Sequence, residues 1–140
     1  MTGTAIRMPP VAGVAPRRRK LVLGNWKMNG SRDAIRAWCE ALRRELAGVA
    51  PEAGPDLGLL PPFPYLGEAV RGLEGTGWRV GAQDLSPHDA GAFTGDVSGA
   101  MLAELGCAWV LVGHSERRAE HGESDALVSP PSSPRRRAPA

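Results

Sequence analysis

Short apolar runs alternate with amphipathic stretches from Lys20 onward, and no other feature narrows the possible folds of this chain so far. "KLVLG" (Lys20–Gly24) has the length and apolar character of a strand. It is followed by "SRDAIRAWCEALRRELAG", where Ser31 stands at an N-cap position and Ile35, Trp38, Leu42 and Leu46 keep helical spacing up to Gly48. "DLGLLPPFPY" (Asp56–Tyr65) repeats the pattern with a strand stopped by Pro61 and Pro62, and "YLGEAVRGLEG" predicts a shorter helix ending near Gly72–Gly75. A third strand, "WRVGAQ", closes at Gln83 and opens the polar loop "DLSPHDAGAFTGD"; "VSGAMLAELG" then reads as a helix and "CAWVLVGH" (Cys107–His114) as a fourth strand. Near-continuous apolar strands separated by helices are those of a parallel sheet, because parallel neighbours need crossover connections. The class is therefore α/β. At 140 residues with 42% hydrophobic content, one domain is expected.

In parallel α/β sheets and barrels, ligands gather at the carboxyl ends of the strands. The polar residues of this chain fall there: Asn25 and Lys27 after the first strand, Gln83 at the close of the third, and His114, Ser115 and Glu116 after the fourth. An ammonium, an amide and an imidazole at one mouth suit a small anionic substrate whose oxygen gains charge during reaction. The residues alone go no further than proton transfer or another reaction on such a molecule.

Composition removes several classes. A net charge of +2 is too small to imply a polyanionic partner, and its excess comes from two arginine clusters near the ends, "PRRRK" (Pro16–Lys20) and "PRRR" (Pro134–Arg137). A small basic nucleic-acid-binding module would use those clusters, but it leaves "GNWKMNG" and "GHSERR" unexplained and lacks aromatics interleaved with the basic residues. Cys39 and Cys107 lie far apart without metal-ligand spacing, which predicts buried reduced thiols, no metal and a cytoplasmic setting. No apolar run has the length needed to span a bilayer, so no membrane partner is expected.

Three strings, "GNWKMNG", "GAQDLSPHDAGAFTGDVSG" and "WVLVGHSERR", resemble the triosephosphate isomerase family in order and spacing. The resemblance runs from about Lys20 to about Val128 and implies a TIM (β/α)8 barrel, of which about the first four βα units are present as a partial barrel. It also implies a homodimer, no cofactor, and interconversion of dihydroxyacetone phosphate with glyceraldehyde 3-phosphate in glycolysis and gluconeogenesis. By that resemblance Asn25 and Lys27 are substrate-binding, with the lysine attracting phosphate and developing oxyanion. His114 is the electrophile, a neutral imidazole at the start of a short helix, which is a known property of that family and not one read from this sequence. Glu116 holds the lysine, Ser115 sits beside the histidine, and Gln83 and Thr94 are supporting residues. The loop "GAFTGDVSG" carries Thr94 into the partner subunit, near its Asn–Lys pair.

The chain departs from that pattern at both ends. Residues 1–19 read as a disordered leader, 20–128 as the partial barrel, and 129–140, "SPPSSPRRRAPA", as a disordered Pro/Ser/Arg tail. Composition changes at one point, as a shifted reading frame, a truncated gene or a mispredicted ending would produce. The family's glutamate base, its lid and its glycine-rich phosphate donors have no counterpart in the sequence, so the chain is expected to be inactive alone, a non-catalytic fragment. Four strands cut from a barrel would leave the first and fourth with open edges and promote self-association.

Overall fold

The computed structural model describes residues 4–7, 20–48 and 54–129. In chain order the elements are β1 (Thr4–Arg7), β2 (Leu21–Asn25), α1 (Arg32–Glu45), β3 (Asp56–Leu60), a single 3-10 turn (Phe63–Tyr65), α2 (Leu66–Leu73), β4 (Arg79–Ala82), α3 (Gly99–Glu104), β5 (Trp109–Val112), α4 (Ser115–His121) and α5 (Asp125–Val128). The sheet order is β1-β5-β4-β3-β2. From β2 to β5 every neighbouring pair is parallel, and each crossover moves one strand along without reversing. A sheet wound in one direction has no switch point of the doubly wound kind.

Local sequence explains the helices. Ser31 Oγ accepts the Ala34 N–H (3.1 Å) at the start of α1, Asp33 lies in the first turn, and Arg43 and Arg44 lie in the last, where they complement the helix dipole. Ile35 and Cys39 point from α1 into a core with Leu59, Leu66, Ala69, Leu73, Val80, Ala82, Leu102 and Cys107. Trp38 bridges the layers edge-on, with ring centroids 6.2 Å from Trp26 and 5.4 Å from Trp78. Ser98 caps α3 through the Met101 N–H (3.3 Å). On the opposite face Trp109 lies over β3 so closely that a Cβ on Gly58 would come within 2.3 Å of its ring. Both cysteines are free and buried, and burial pushes both thiols above their ordinary pKa. Among the described residues no helix is long and apolar enough to cross a membrane.

Two expectations change at the amino end. Thr4–Arg7 is not part of a disordered leader; it is a strand, antiparallel to β5, with Thr4 opposite Val112 and Arg7 opposite Trp109. The fourth parallel strand therefore does not have an open edge. The physical reason is the row of outward N–H and C=O groups on β5, which a short segment with two β-branched residues can satisfy. The other leader residues, 1–3 and 8–19, lie outside the described residues, as does most of the arginine cluster at 16–20. At the carboxyl end Ser129 donates its N–H to the Asp125 carbonyl (2.9 Å) and so caps α5. Residues 130–140 lie outside the described residues.

Candidate active site at the carboxyl ends of the strands

Asn25 is the last residue of β2, and its Oδ1 accepts the backbone N–H of Lys27 (2.9 Å). This local turn holds Lys27 at φ 53°, the left-handed region that a side-chain-bearing residue rarely adopts. Such a conformation costs on the order of 1 kcal/mol or more and persists where surrounding contacts fix it. Those contacts come from Gln83, just past β4. Its Nε2 donates to the Leu60 carbonyl (2.8 Å), the Lys27 carbonyl (2.9 Å) and Asn25 Oδ1 (3.2 Å). One amide group thus ties together the carboxyl ends of three neighbouring strands.

The other side of the group comes from β5. Gly113 turns the chain at φ 62°, where a Cβ would lie 2.9 Å from both Arg118 Nη2 and Val128 Cγ2. That turn ends the strand at Val112, before His114, and makes His114 the N-cap of α4. His114 Nδ1 accepts the Glu116 N–H (3.2 Å). A nitrogen that accepts carries no proton, so the neutral ring presents its N–H at Nε2. The Glu116 carboxylate lies 3.6 Å from Nδ1, beyond hydrogen-bond reach, and the backbone contact is the better formed of the two.

Glu116 connects the two halves. Its Oε1 is in contact with Lys27 Nζ, and this hydrogen bond, with the lysine charge behind it, holds the carboxyl below the ordinary glutamate pKa. Both side chains are about half exposed, so solvent screens the pair and it adds little to stability. Its importance is positional, since it sets Lys27 and His114 on either side of one carboxylate. The ammonium has three donors, and this contact uses one.

Asn25, Lys27, Gln83, His114 and Glu116 are thus brought together at one end of the sheet. Ser115 opens α4 beside them and is exposed. Thr94 stands apart in an exposed turn closed by the Asp96 N–H to the Phe93 carbonyl (3.0 Å). Beside that turn the rings of His88 and Phe93 stack with centroids 3.7 Å apart.

A supporting group not anticipated from the sequence lies behind the site. Arg117 joins Asp84, after β4, at 2.7 Å and Glu123, after α4, at 2.6 Å, which fastens α4 to the third strand's loop. Burial raises the Asp84 pKa against the opposing pull of Arg117. Nothing in "HSERR" distinguishes this arginine from a solvated one; its partners are 33 residues upstream and 6 downstream. Among the described residues no cluster of three His, Cys, Asp or Glu side chains could hold a metal.

Comparison with known proteins gives a consistent result. The family model described as "Triosephosphate isomerase" matches residues 20–132. The triosephosphate isomerase of Nitrosococcus oceani is 51% identical over 113 residues, covering 80% of this chain and 44% of the relative. That of Bordetella pertussis is 50% identical over 115 residues, with 82% and 45% covered. That of Dechloromonas aromatica is 47% identical over 112 residues, with 80% and 43% covered. The chain thus spans less than half the length of these curated relatives.

Proposed function

The chain belongs to the triosephosphate isomerase family, its parallel strands and helices form part of that (β/α)8 barrel, and we propose that its strand-end group is the electrophilic half of an isomerase site. The substrate is a phosphorylated triose, interconverted between dihydroxyacetone phosphate and glyceraldehyde 3-phosphate. The observation that carries this reading is the connected set Asn25, Lys27, Glu116 and His114, held at the strand ends by Gln83.

The reaction removes a proton from the carbon beside a carbonyl, moves the electron pair onto the carbonyl oxygen, and returns a proton to the neighbouring carbon. The enediolate formed between carries negative charge on oxygen. His114 Nε2–H donates to that oxygen, and the spare donors of Lys27 attract it together with the substrate phosphate. Asn25 fixes the strained backbone that aims Lys27, Gln83 fixes Asn25, and Glu116 holds the ammonium in place. Ser115 lies beside the histidine as a supporting residue. The base that takes the carbon proton is not among the residues placed here. Glu116, the carboxylate at the site, is engaged by Lys27.

The chain alone is therefore expected to show isomerase turnover at background. In the complete enzyme the 84–98 loop, with Phe93 exposed beside Thr94, reaches the partner of a homodimer and sets Thr94 near its Asn25–Lys27 pair. The free buried thiols favour a cytoplasmic location.

A coupled assay tests the reading. Joining residues 1–128 in frame to the remaining carboxyl-terminal part of a family relative is expected to give turnover. Lys27→Ala or His114→Ala in that fusion then lowers kcat/KM by about 100-fold or more, the size of effect expected for lost oxyanion stabilisation or proton transfer. An active fusion indifferent to both substitutions overturns it.

A further inference from the structure

An antiparallel strand at the end of an otherwise parallel sheet calls for an explanation. In a (β/α)8 barrel every strand has parallel neighbours, so the outer edge of β5 is the place where the next parallel strand belongs. Here Thr4–Arg7 occupies it. Chain direction accounts for the orientation. Arg7 lies beside Trp109, the start of β5, and the chain must return to Leu21, the start of β2. An antiparallel β1 delivers the chain to the end of the sheet where the parallel strands begin. The intervening residues 8–20 can extend roughly 43 Å at about 3.3 Å each, ample for a path of four strand spacings of about 4.8 Å.

We propose that Thr4–Arg7 is a displaceable edge strand that closes β5 in cis and that must leave before a parallel barrel strand can join there. The occupant of this edge is the chain's own amino-terminal segment. The backbone geometry says which amides report it. The Val80 carbonyl faces β5, where it accepts the Ala108 N–H (2.7 Å), and a Cβ on Gly81 would lie 2.9 Å from the Trp109 carbonyl oxygen, which therefore faces β4. Alternation with period two turns Val110 and Val112 toward β1, opposite Ile6 and Thr4. At the other edge the Lys20 carbonyl and the Trp26 N–H are bonded to β3, which turns the Leu23 N–H outward, where it meets no strand among the described residues.

Hydrogen exchange on the full chain is the test. The Val110 amide is expected to exchange on the order of 100-fold more slowly than that of Leu23, independently of protein concentration. Ile6→Pro removes the donor that faces Val110 and brings Val110 to the Leu23 rate, while Leu111, bonded toward β4, stays protected. Ala5→Pro removes an outward donor and leaves Val110 unchanged. Equal Val110 and Leu23 rates in the unsubstituted chain overturn the proposal, as does a Val110 amide indifferent to Ile6→Pro. Protection that rises with concentration assigns the strand to a second copy and overturns the cis closure. Should Ile6→Pro unfold the whole sheet, the unsubstituted chain's Val110 and Leu23 rates decide. In the in-frame fusion, Val110 is expected to stay protected despite Ile6→Pro, because a parallel strand has replaced β1; continued sensitivity there overturns displacement.

Discussion

Lys27 combines two demands that conflict at one residue: a long cationic side chain and a left-handed backbone. Glycine would satisfy the second without the first. Lys27→Gly is therefore expected to unfold in urea at higher stability than Lys27→Ala, by about 0.5–1 kcal/mol, although both lose the same contact with Glu116. The same contact governs a titration. Because the lysine hydrogen bond lowers the folded-state pKa of Glu116, its stabilising effect is present above the unfolded carboxyl's pKa and disappears as pH falls through the folded value. NMR of the Glu116 carboxyl is expected to give a midpoint below that of ordinary glutamates, and Lys27→Met to move it up. An unchanged midpoint in Lys27→Met would assign the shift to some other neighbour.

Between elements, α1 packs closely on α2. A Cβ on Gly72 would lie 2.7 Å from Cys39 Sγ and 2.9 Å from Cys39 Cβ, atoms near the backbone of a buried residue with little freedom to retreat. Gly67, in the first turn of the same helix, meets nothing closer than 3.6 Å, the mobile end of Arg71. Alanine favours a helix over glycine by about 1 kcal/mol, whereas overpacking costs roughly 1–3 kcal/mol. Gly72→Ala is thus expected to lower the thermal midpoint and Gly67→Ala to leave it unchanged or raise it. Calorimetry of the two side by side separates helix preference from packing. The sequence placed both helices correctly, since Ser31 and the spacing of Ile35, Trp38 and Leu42 are local signals. It could not rank the two glycines, because Cys39 and Gly72 meet only once the helices pack.

Across the whole molecule, the sheet has β1 at one end and β2 at the other. Expecting two open parallel edges, the sequence suggested association through both; with β1 in place, β2 becomes the principal route. Leu21 is 39% and Val22 53% exposed, so apolar surface lies beside that edge. Association is expected in light scattering with size-exclusion chromatography, and Val22→Lys, a charge placed on an edge strand, is expected to reduce it. A monodisperse unsubstituted chain would show that the β2 edge recruits nothing.

What the sequence determined by itself is the alternation and what sits at its joints. Apolar runs and amphipathic periods are properties of neighbouring residues, so four parallel strands, the helices between them, and the assignment of Asn25, Lys27, Gln83 and His114 to strand ends were legible before any coordinates. The family resemblance paired Glu116 with Lys27, but only tertiary structure decided the geometry in which these residues meet. The three acceptors of Gln83, the contact of Lys27 with Glu116 across 89 residues, and the arginine clamp from Asp84 to Glu123 join segments whose separation along the chain says nothing of their distance in space. The same holds for Thr4–Arg7. Four residues are too few for a period-two pattern to register, and their conformation is set by the unpaired backbone of β5, more than a hundred residues away.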